Sequence, residues 1–207
     1  MSLGLGTTGL VALAVVGSPS AMALIFGNPI VFPVLLIAEL LLVIAFAPIA
    51  ARVSAGTAAA MFFSYAALSG VTFSVIFLRY TASSIGATFL VTGGMFAGLS
   101  LYGATTKRDL SSLGSFAIMG LWGIILASIV NIFLGSPMLY WLVTFAGVVV
   151  FTGLTVYDTA KLKALGAHAG SGEAYTKLAL QGALILYLDF INLFLMLLRI
   201  FGGRRRD

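Results

Sequence analysis

Five ionisable side chains lie inside or at the ends of long apolar stretches, and these are the first candidates for chemistry. The acidic ones are Glu39, Asp158 and Asp189, and the basic ones are Arg52 and Arg199. An ionisable group at membrane depth is costly, so it is retained chiefly where it serves a function. The arginines are weaker candidates, because long basic side chains can extend along apolar surface to reach water.

The last apolar stretch carries a polar stripe. At about 100° per residue, five of its side chains fall within one narrow arc of a helix, and Leu, Ile, Phe and Tyr surround them. The five are Gln181, Asp189, Asn192, Met196 and Arg199. A single polar stripe on an otherwise apolar helix faces protein or water and not lipid.

The preceding stretch has a looser stripe, which occupies about a third of its circumference. Its members are Thr144, Thr152, Thr155, Asp158 and Thr159. Each aspartate can lie about two to three helical turns from the connection that the two helices share. We therefore expect Asp158 and Asp189 to meet. In the alternative, each carboxyl is satisfied separately by hydroxyl and backbone groups.

Two carboxylates in a site of low dielectric cannot both ionise cheaply, so they share one proton and titrate as a pair. The proton then acts as a latch between two helices. Its loss leaves two like charges, which repel each other or recruit a cation, and carboxylate oxygens suit calcium. We predict that Asp158 and Asp189 form the pH sensor, the gate and the calcium-contacting (metal) site. Glu39, Arg52 and Asn192 are predicted to support them.

Composition indicates which elements position these residues. Hydrophobic residues make up 61% of the chain and charged residues 8%, against about a quarter charged in soluble domains. Lipid must therefore cover much of the exterior, and the bilayer is the first expected partner. We predict an all-α, polytopic membrane protein in which residues 1–207 form one domain. Seven stretches are long enough to span a membrane, at 8–26, 30–50, 57–78, 84–105, 113–134, 138–157 and 178–201.

Several classes of site are disfavoured. The chain has no cysteine, which excludes disulfides and thiolate metal sites, and His168 is its single histidine. Its net charge of +5 is scattered between apolar stretches, so no nucleic-acid partner is expected. Calcium and protons are the expected partners, and calcium is cargo and not a resident cofactor. No enzymatic activity is expected.

Recurring small residues, such as Gly94 with Gly98 and Gly56 with Ala60, predict close helix packing.

Basic residues predict the orientation. They lie in the connections after the second, fourth and sixth stretches, which places these loops and the N-terminus in the cytoplasm. A full last span puts Arg204, Arg205 and Arg206 outside, against the rule. Either that stretch is re-entrant or the earlier loops outweigh the tail. No basic residue precedes the first stretch, so we expect no cleavable signal peptide, and a short N-terminal extension is expected to precede Met1.

Two segments resemble signatures of the transmembrane Bax inhibitor motif family. They are YDTAKL at 157–162 and LYLDFINLFLMLLRIFG at 186–202. The loop at 107–110 followed by Gly114, and the triplet Asn131-Ile132-Phe133, are similar to bacterial members. The resemblance covers the chain apart from its short N-terminus.

The resemblance implies a seven-helix bundle of the bacterial inner membrane, with its last helix near the centre. It also implies a calcium leak controlled by an aspartate pair, and Asp158 and Asp189 occupy those motif positions. The family places an arginine at the cytoplasmic end of helix two, where it can pair with the helix-six aspartate. Arg52 is the nearest match, although its spacing from Glu39 fits imperfectly.

Three other functions remain open. A proton-coupled secondary transporter would use the same carboxylates as proton carriers, although no internal repeat is evident. A regulatory membrane subunit would bind a protein partner without conducting. An intramembrane aspartyl protease would need a Gly-x-Gly-Asp motif, whereas Asp189 lies in Tyr-Leu-Asp-Phe. The sign of the pH response also has two versions. Leak rises with pH if the aspartate pair is the gate, and falls if protonation releases Asp158 from Arg52.

Overall fold

The computed structural model describes residues 1–205, and Arg206 and Asp207 lie outside this range. Nine helices account for most of the described residues. They are α1 (Ser2–Val16), α2 (Pro19–Gly27), α3 (Val31–Ala50), α4 (Ala55–Phe73), α5 (Ile76–Arg79), α6 (Ala82–Thr105), α7 (Ser111–Leu134), α8 (Pro137–His168) and α9 (Glu173–Phe201).

The all-helical, polytopic architecture is confirmed. Six helical segments within the described chain are long and apolar enough to cross a membrane, or seven if α1 and α2 together count as one span. The predicted stretches at 30–50, 84–105 and 113–134 match α3, α6 and α7 closely. The last helix was expected to be the most enclosed, and α9 has the largest buried share of these spans, at 56%.

The first predicted span is wrong as one straight helix, because α1 and α2 meet at an angle of 95°. The break falls at Gly17 and Ser18. Ser18 has an extended backbone, and its side chain accepts a hydrogen bond from the backbone N–H of Ala21 at 3.3 Å. Pro19 follows as the first helical residue, where its missing N–H costs nothing and where it disfavours helical geometry in the residue before it.

The predicted polar connection between the last two spans is also wrong, because most of it is helical. α8 continues through Lys161 and Lys163 to His168. Lysine is a good helix former, so the helix does not need to stop where the apolar run stops. The connection shrinks to residues 169–172, in which Gly170 and Gly172 adopt φ values of +65° and +107° that favour glycine.

The helices group into two compact units. The first contains Met1–Tyr80 and Ala169–Tyr187 together with Arg205. In it α4 packs against both α1 and α3. Gly70 of α4 permits the close approach of α1, because an added Cβ would lie 2.6 Å from the backbone oxygen of Thr8. The hydroxyl of Thr8 donates to the Ala66 carbonyl at 2.9 Å and lies 2.7 Å from the fully buried hydroxyl of Tyr187.

Contacts within the first unit show that α9 extends alongside α4 and α5 from end to end, and its length is that expected of a full span. Glu173, at its start, accepts a hydrogen bond from the backbone N–H of Ala55, where α4 begins. Beyond its end, the backbone N–H of Arg205 donates to the carbonyl of Arg79, where α5 ends. At about 1.5 Å per residue, the 29 residues of α9 cover about 43 Å.

The second unit contains Thr81–His168 and Leu188–Arg204. In it α8 packs against both α6 and α7. Residues of α7, α8 and α9 form one apolar cluster, which includes Ala117, Phe151 and Leu193. The unit begins with an N-terminal cap on α6, where Thr81 accepts from the backbone N–H of Ser84 at 3.3 Å.

The loop between α6 and α7 is fixed by Asp109. Its carboxylate accepts hydrogen bonds from the backbone N–H of Ser111 at 2.9 Å and from the Ser111 hydroxyl at 2.6 Å. Both bonds lower the pKa of Asp109, and the bond from the Ser111 hydroxyl has the larger effect. The carboxylate therefore stays ionised near neutral pH, next to the positive end of the α7 dipole.

The glycines that permit close helix packing are not those that the small-residue pattern indicated. Cβ atoms added at Gly94 or Gly98 would meet nothing within 4 Å, and one at Gly56 would meet only Ser54 of its own turn. At Gly103 of α6, however, an added Cβ would collide with the backbone oxygen of Val156 in α8. Spacing along one helix does not reveal which face meets a neighbour.

Gly103→Val is therefore expected to lower the free energy of unfolding by about 1–3 kcal/mol, since the carbonyl of Val156 cannot move without shifting α8. Gly98→Val on the same helix is the matched control, and should change stability by less than about 1 kcal/mol. Equilibrium unfolding of the purified protein in mixed micelles measures both. Equal losses in the two variants would contradict the close α6–α8 contact.

Candidate functional site

Asp158 and Asp189 lie in the second unit, on α8 and α9 respectively. Asp189 is only 5% exposed and Asp158 is half-buried. The two carboxyl groups are neighbours, close enough for each to influence the ionisation of the other. The structure thus brings together the two residues on which the predicted site depends.

One oxygen of this pair lacks a partner. Asp189 Oδ2 is buried, and no group among residues 1–205 donates a hydrogen bond to it. Buried polar atoms are nearly always hydrogen-bonded, so an unpartnered one calls for an explanation. Two ionised carboxylates are both acceptors, whereas a single proton on either one supplies the missing donor. The geometry therefore suits a carboxylic acid facing a carboxylate.

Apolar, buried residues flank Asp189 along α9. The ring of Phe190 makes edge contacts with Phe89 and Phe96 of α6, with centroid distances of 5.2 and 5.5 Å. Leu193, one turn further along α9, is fully buried. Such surroundings lower the local dielectric and strengthen any interaction between the two carboxyl groups.

Two threonines of the α8 stripe bond to their own helix, whereas Thr159 donates to the hydroxyl of Ser100 on α6 at 3.4 Å. Thr144 donates to the Tyr140 carbonyl and Thr155 to the Phe151 carbonyl, both at 2.8 Å. Within residues 1–205 no hydroxyl donates to Asp189 Oδ2, so separate satisfaction of that carboxyl by hydroxyl groups does not describe this arrangement. Towards the C-terminal end of α8, Lys161 lies 5.7 Å from the centroid of the Tyr157 ring.

Asn192 was predicted to support the pair, and it lies half-buried on α9. Its amide donates to the Leu188 carbonyl of the preceding turn at 2.8 Å. Gln181, at the other end of the stripe, donates a long bond of 3.5 Å to the Ala47 carbonyl in the first unit. The hydrogen bonds of both side-chain amides thus go to backbone carbonyls.

Glu39 lies in the first unit, on α3, and is half-buried. Its two carboxylate oxygens accept hydrogen bonds from the hydroxyls of Ser69 and Thr72 on α4, the second at 2.9 Å. These partners were not identified from the sequence. Their spacing of three residues, which places both hydroxyls on one helical face, is the signal that could have indicated them.

Arg52 lies in the loop after α3, and its side chain is exposed. Its backbone N–H donates to the Ile49 carbonyl at 2.8 Å. Within residues 1–205 one ion pair is found, between Lys177 and Glu173 at 3.4 Å. The guanidinium of Arg52 therefore belongs to no ion pair in this part of the chain.

As a metal ligand set, the aspartate pair is incomplete. Calcium takes six to eight oxygen ligands. Among the residues that the structure describes, no group of three or more His, Cys, Asp or Glu side chains could hold a metal ion. Two carboxylates can contact a largely hydrated cation transiently, but they do not form a high-affinity metal site.

Known protein sequences are similar to this chain along nearly its whole length. The family model described as "Inhibitor of apoptosis-promoting Bax1" matches residues 1–206. The inner membrane protein YbhL of Escherichia coli K12 is 51% identical over 207 residues, which cover 99% of this chain and 88% of the relative. A protein of Borreliella burgdorferi is 45% identical, covering 100% and 90%, and one of Caulobacter vibrioides is 41% identical, covering 99% and 86%. The chain therefore belongs to the Bax inhibitor family and is a multi-pass protein of the bacterial inner membrane.

Proposed function

We propose that this protein is a calcium leak pathway, opened and closed by a proton that Asp158 and Asp189 share. The observation that carries the proposal is the buried Asp189 Oδ2, which lacks a hydrogen-bond donor although a second carboxyl group, that of Asp158, is a neighbour of this side chain. The proposed role is conduction and not catalysis.

With one proton bound, a hydrogen bond between the carboxyl groups joins α8 to α9 and holds the pathway closed. Without it, two unit charges about 4 Å apart repel each other by about 4 kcal/mol at an effective dielectric constant of about 20. A change of about 1.4 kcal/mol is tenfold in an equilibrium constant. Loss of the proton can therefore shift the balance between closed and open states by up to roughly a thousandfold.

The open state also supplies what calcium needs. A divalent cation that sheds part of its hydration requires anionic oxygen in return. A doubly protonated pair offers none, and a singly protonated pair has its charge engaged in the latch. The ionised pair offers both the charge and the separation of the helices. Leak is therefore expected to increase as pH rises through the range in which the pair loses its proton.

Calcium flux into liposomes that contain only the purified protein, measured across a pH series, tests the proposal. A leak pathway carries calcium down its gradient with no proton gradient imposed. A proton-coupled transporter would need that gradient or would move protons in a fixed ratio. A non-conducting regulatory subunit would give no flux above that of empty liposomes, and this result would end the proposal.

Glu39→Gln is expected to leave the pH midpoint of calcium flux within about 0.3 unit of wild type. The carboxylate of Glu39 has its own hydroxyl partners on α4, which a glutamine oxygen can also engage. The measurement is the same liposome assay with the single variant. A midpoint displaced by a full unit or more would show that Glu39 belongs to the titrating group and would contradict control by the aspartate pair alone.

A further inference from the structure

A polar cavity lies in the second unit, near the turn between α7 and α8 and ten residues along α9 from Asp189. Its volume is about 220 Å³, and three helices contribute to it. Its lining consists of Ser128, Asn131, Ile132, Tyr140, Val143 and Arg199. The calcium pathway proposed above makes no use of this cavity.

The positive charge of Arg199 is not neutralised by the described part of the chain. Its guanidinium carbon lies 5.2 Å from the centroid of the Tyr140 ring, and one nitrogen makes a weak contact of 3.8 Å with the sulfur of Met196. No carboxylate of residues 1–205 lies within 4.0 Å of it, since the one ion pair there joins Lys177 to Glu173. A half-buried cation without an anion is costly, so a negatively charged ligand would stabilise it.

The remaining polar groups of this cavity favour an oxyanion. Asn131 uses its side-chain oxygen to accept from the backbone N–H of Ser136 at 2.9 Å, which leaves its amide nitrogen as a donor. Ser128 and Tyr140 add hydroxyl groups, and no acidic side chain lines the cavity. A guanidinium surrounded by neutral donors is well suited to phosphate oxygens.

An apolar groove adjoins the polar cavity. It has a volume of about 430 Å³, lies between α7 and α8, and shares Val143 with the cavity. Gly123 leaves it open, since a Cβ added there would meet no atom within 4 Å, whereas one added at Gly120 would lie 2.6 Å from Val150 Cγ2. Along α7 the groove extends from Phe116 to Ala127, which is about 17 Å of helix. That length is close to half of a hydrocarbon core about 30 Å thick, the depth of one leaflet.

We infer that the cavity and groove together bind one anionic glycerophospholipid, with its phosphate at Arg199 and one acyl chain between α7 and α8. Charge complementarity and the continuity of the two spaces select this ligand. A free phosphate would leave the groove empty, and an uncharged diacylglycerol would leave Arg199 without an anion.

Native mass spectrometry of the full chain in detergent, titrated with dioleoylphosphatidylglycerol, tests the inference. Wild type should retain one lipid, and Arg199→Gln should weaken binding by roughly tenfold or more, because it removes a charge-assisted contact. Arg199→Lys should restore part of the affinity. Arg204→Gln is the matched control, since it removes an exposed charge just beyond the same helix and should leave binding unchanged. Equal retention by wild type and Arg199→Gln would overturn the inference.

Gly123→Leu tests the groove independently, and the open space at this position makes the change compatible with folding. It should weaken phosphatidylglycerol binding while the variant melts within a few degrees of wild type. Dioleoylglycerol should bind far more weakly than phosphatidylglycerol, and millimolar inorganic phosphate should not displace the lipid. Displacement by phosphate would identify an anion site without lipid recognition, and undiminished binding by Gly123→Leu would exclude the groove. Either result overturns the inference.

Discussion

Calcium flux through Asp189→Asn is expected to be low and nearly independent of pH. Asparagine carries no titratable proton, and its amide can donate permanently to the Asp158 carboxylate, as the shared proton does in the closed state. Above the wild-type midpoint, flux should therefore fall by at least roughly tenfold, because the repulsion of about 4 kcal/mol that opens the pathway never develops. Asp158→Asn should behave in the same way. Fluorescent calcium indicators inside liposomes measure both variants across the pH series.

Asp109→Asn is the matched control for these variants. It makes the same chemical change in an exposed loop, where the carboxylate engages Ser111 and not a second acid. Its pH profile should coincide with that of wild type. Flux that stays pH-dependent after both Asp158 and Asp189 have become asparagine would show that another group senses pH.

Phe190→Ala is expected to cause the largest loss of stability among single changes near the site, about 3 kcal/mol. The ring is almost fully buried and contacts two aromatic rings of α6, so its removal leaves a cavity beside Asp189. Lipid surrounds the protein in both folded and unfolded states, so the loss reflects packing and not transfer from water.

Phe133→Ala is the corresponding control, because that ring is 84% exposed on α7. It should change the free energy of unfolding by less than about 0.5 kcal/mol. Reversible unfolding in bicelles or mixed micelles measures both variants. A similar small effect for Phe190→Ala would contradict the tight packing of α9 against α6.

The sequence predicted the first and last residues of the membrane-spanning helices well where polar residues or turns flank the apolar runs. α3, α6 and α7 begin and end within about two residues of the predicted stretches, because glycine, proline and charged residues flank them. It failed where a helix continues beyond the apolar run, as α8 does through Lys163. Hydropathy identifies the residues that can lie in lipid. A helix can continue beyond them, because helical structure does not require apolar side chains. The break before Pro19 could have been recognised from Ser18 and Pro19 alone.

The aspartate pair could be anticipated because helical periodicity placed each carboxyl on a polar face. The partners of Glu39 and the environment of Arg199 could not be anticipated in the same way. They depend on which faces of separate helices meet, as with Ser69 and Thr72 across from Glu39 or Tyr140 beneath Arg199. Such pairings are set by three-dimensional packing, which a period along one helix does not encode.

Infrared titration of the reconstituted protein with ¹³C-labelled aspartate tests proton sharing most directly. The carbonyl stretch of a protonated carboxyl group is distinct from the bands of a carboxylate. If Asp158 and Asp189 share one proton, wild type should lose one buried protonated carboxyl in a single step, over the same pH range in which calcium flux rises. Either single asparagine variant should abolish that step or displace it by more than about one pH unit. Two independent steps, each unchanged when the other aspartate is replaced, would contradict the shared proton.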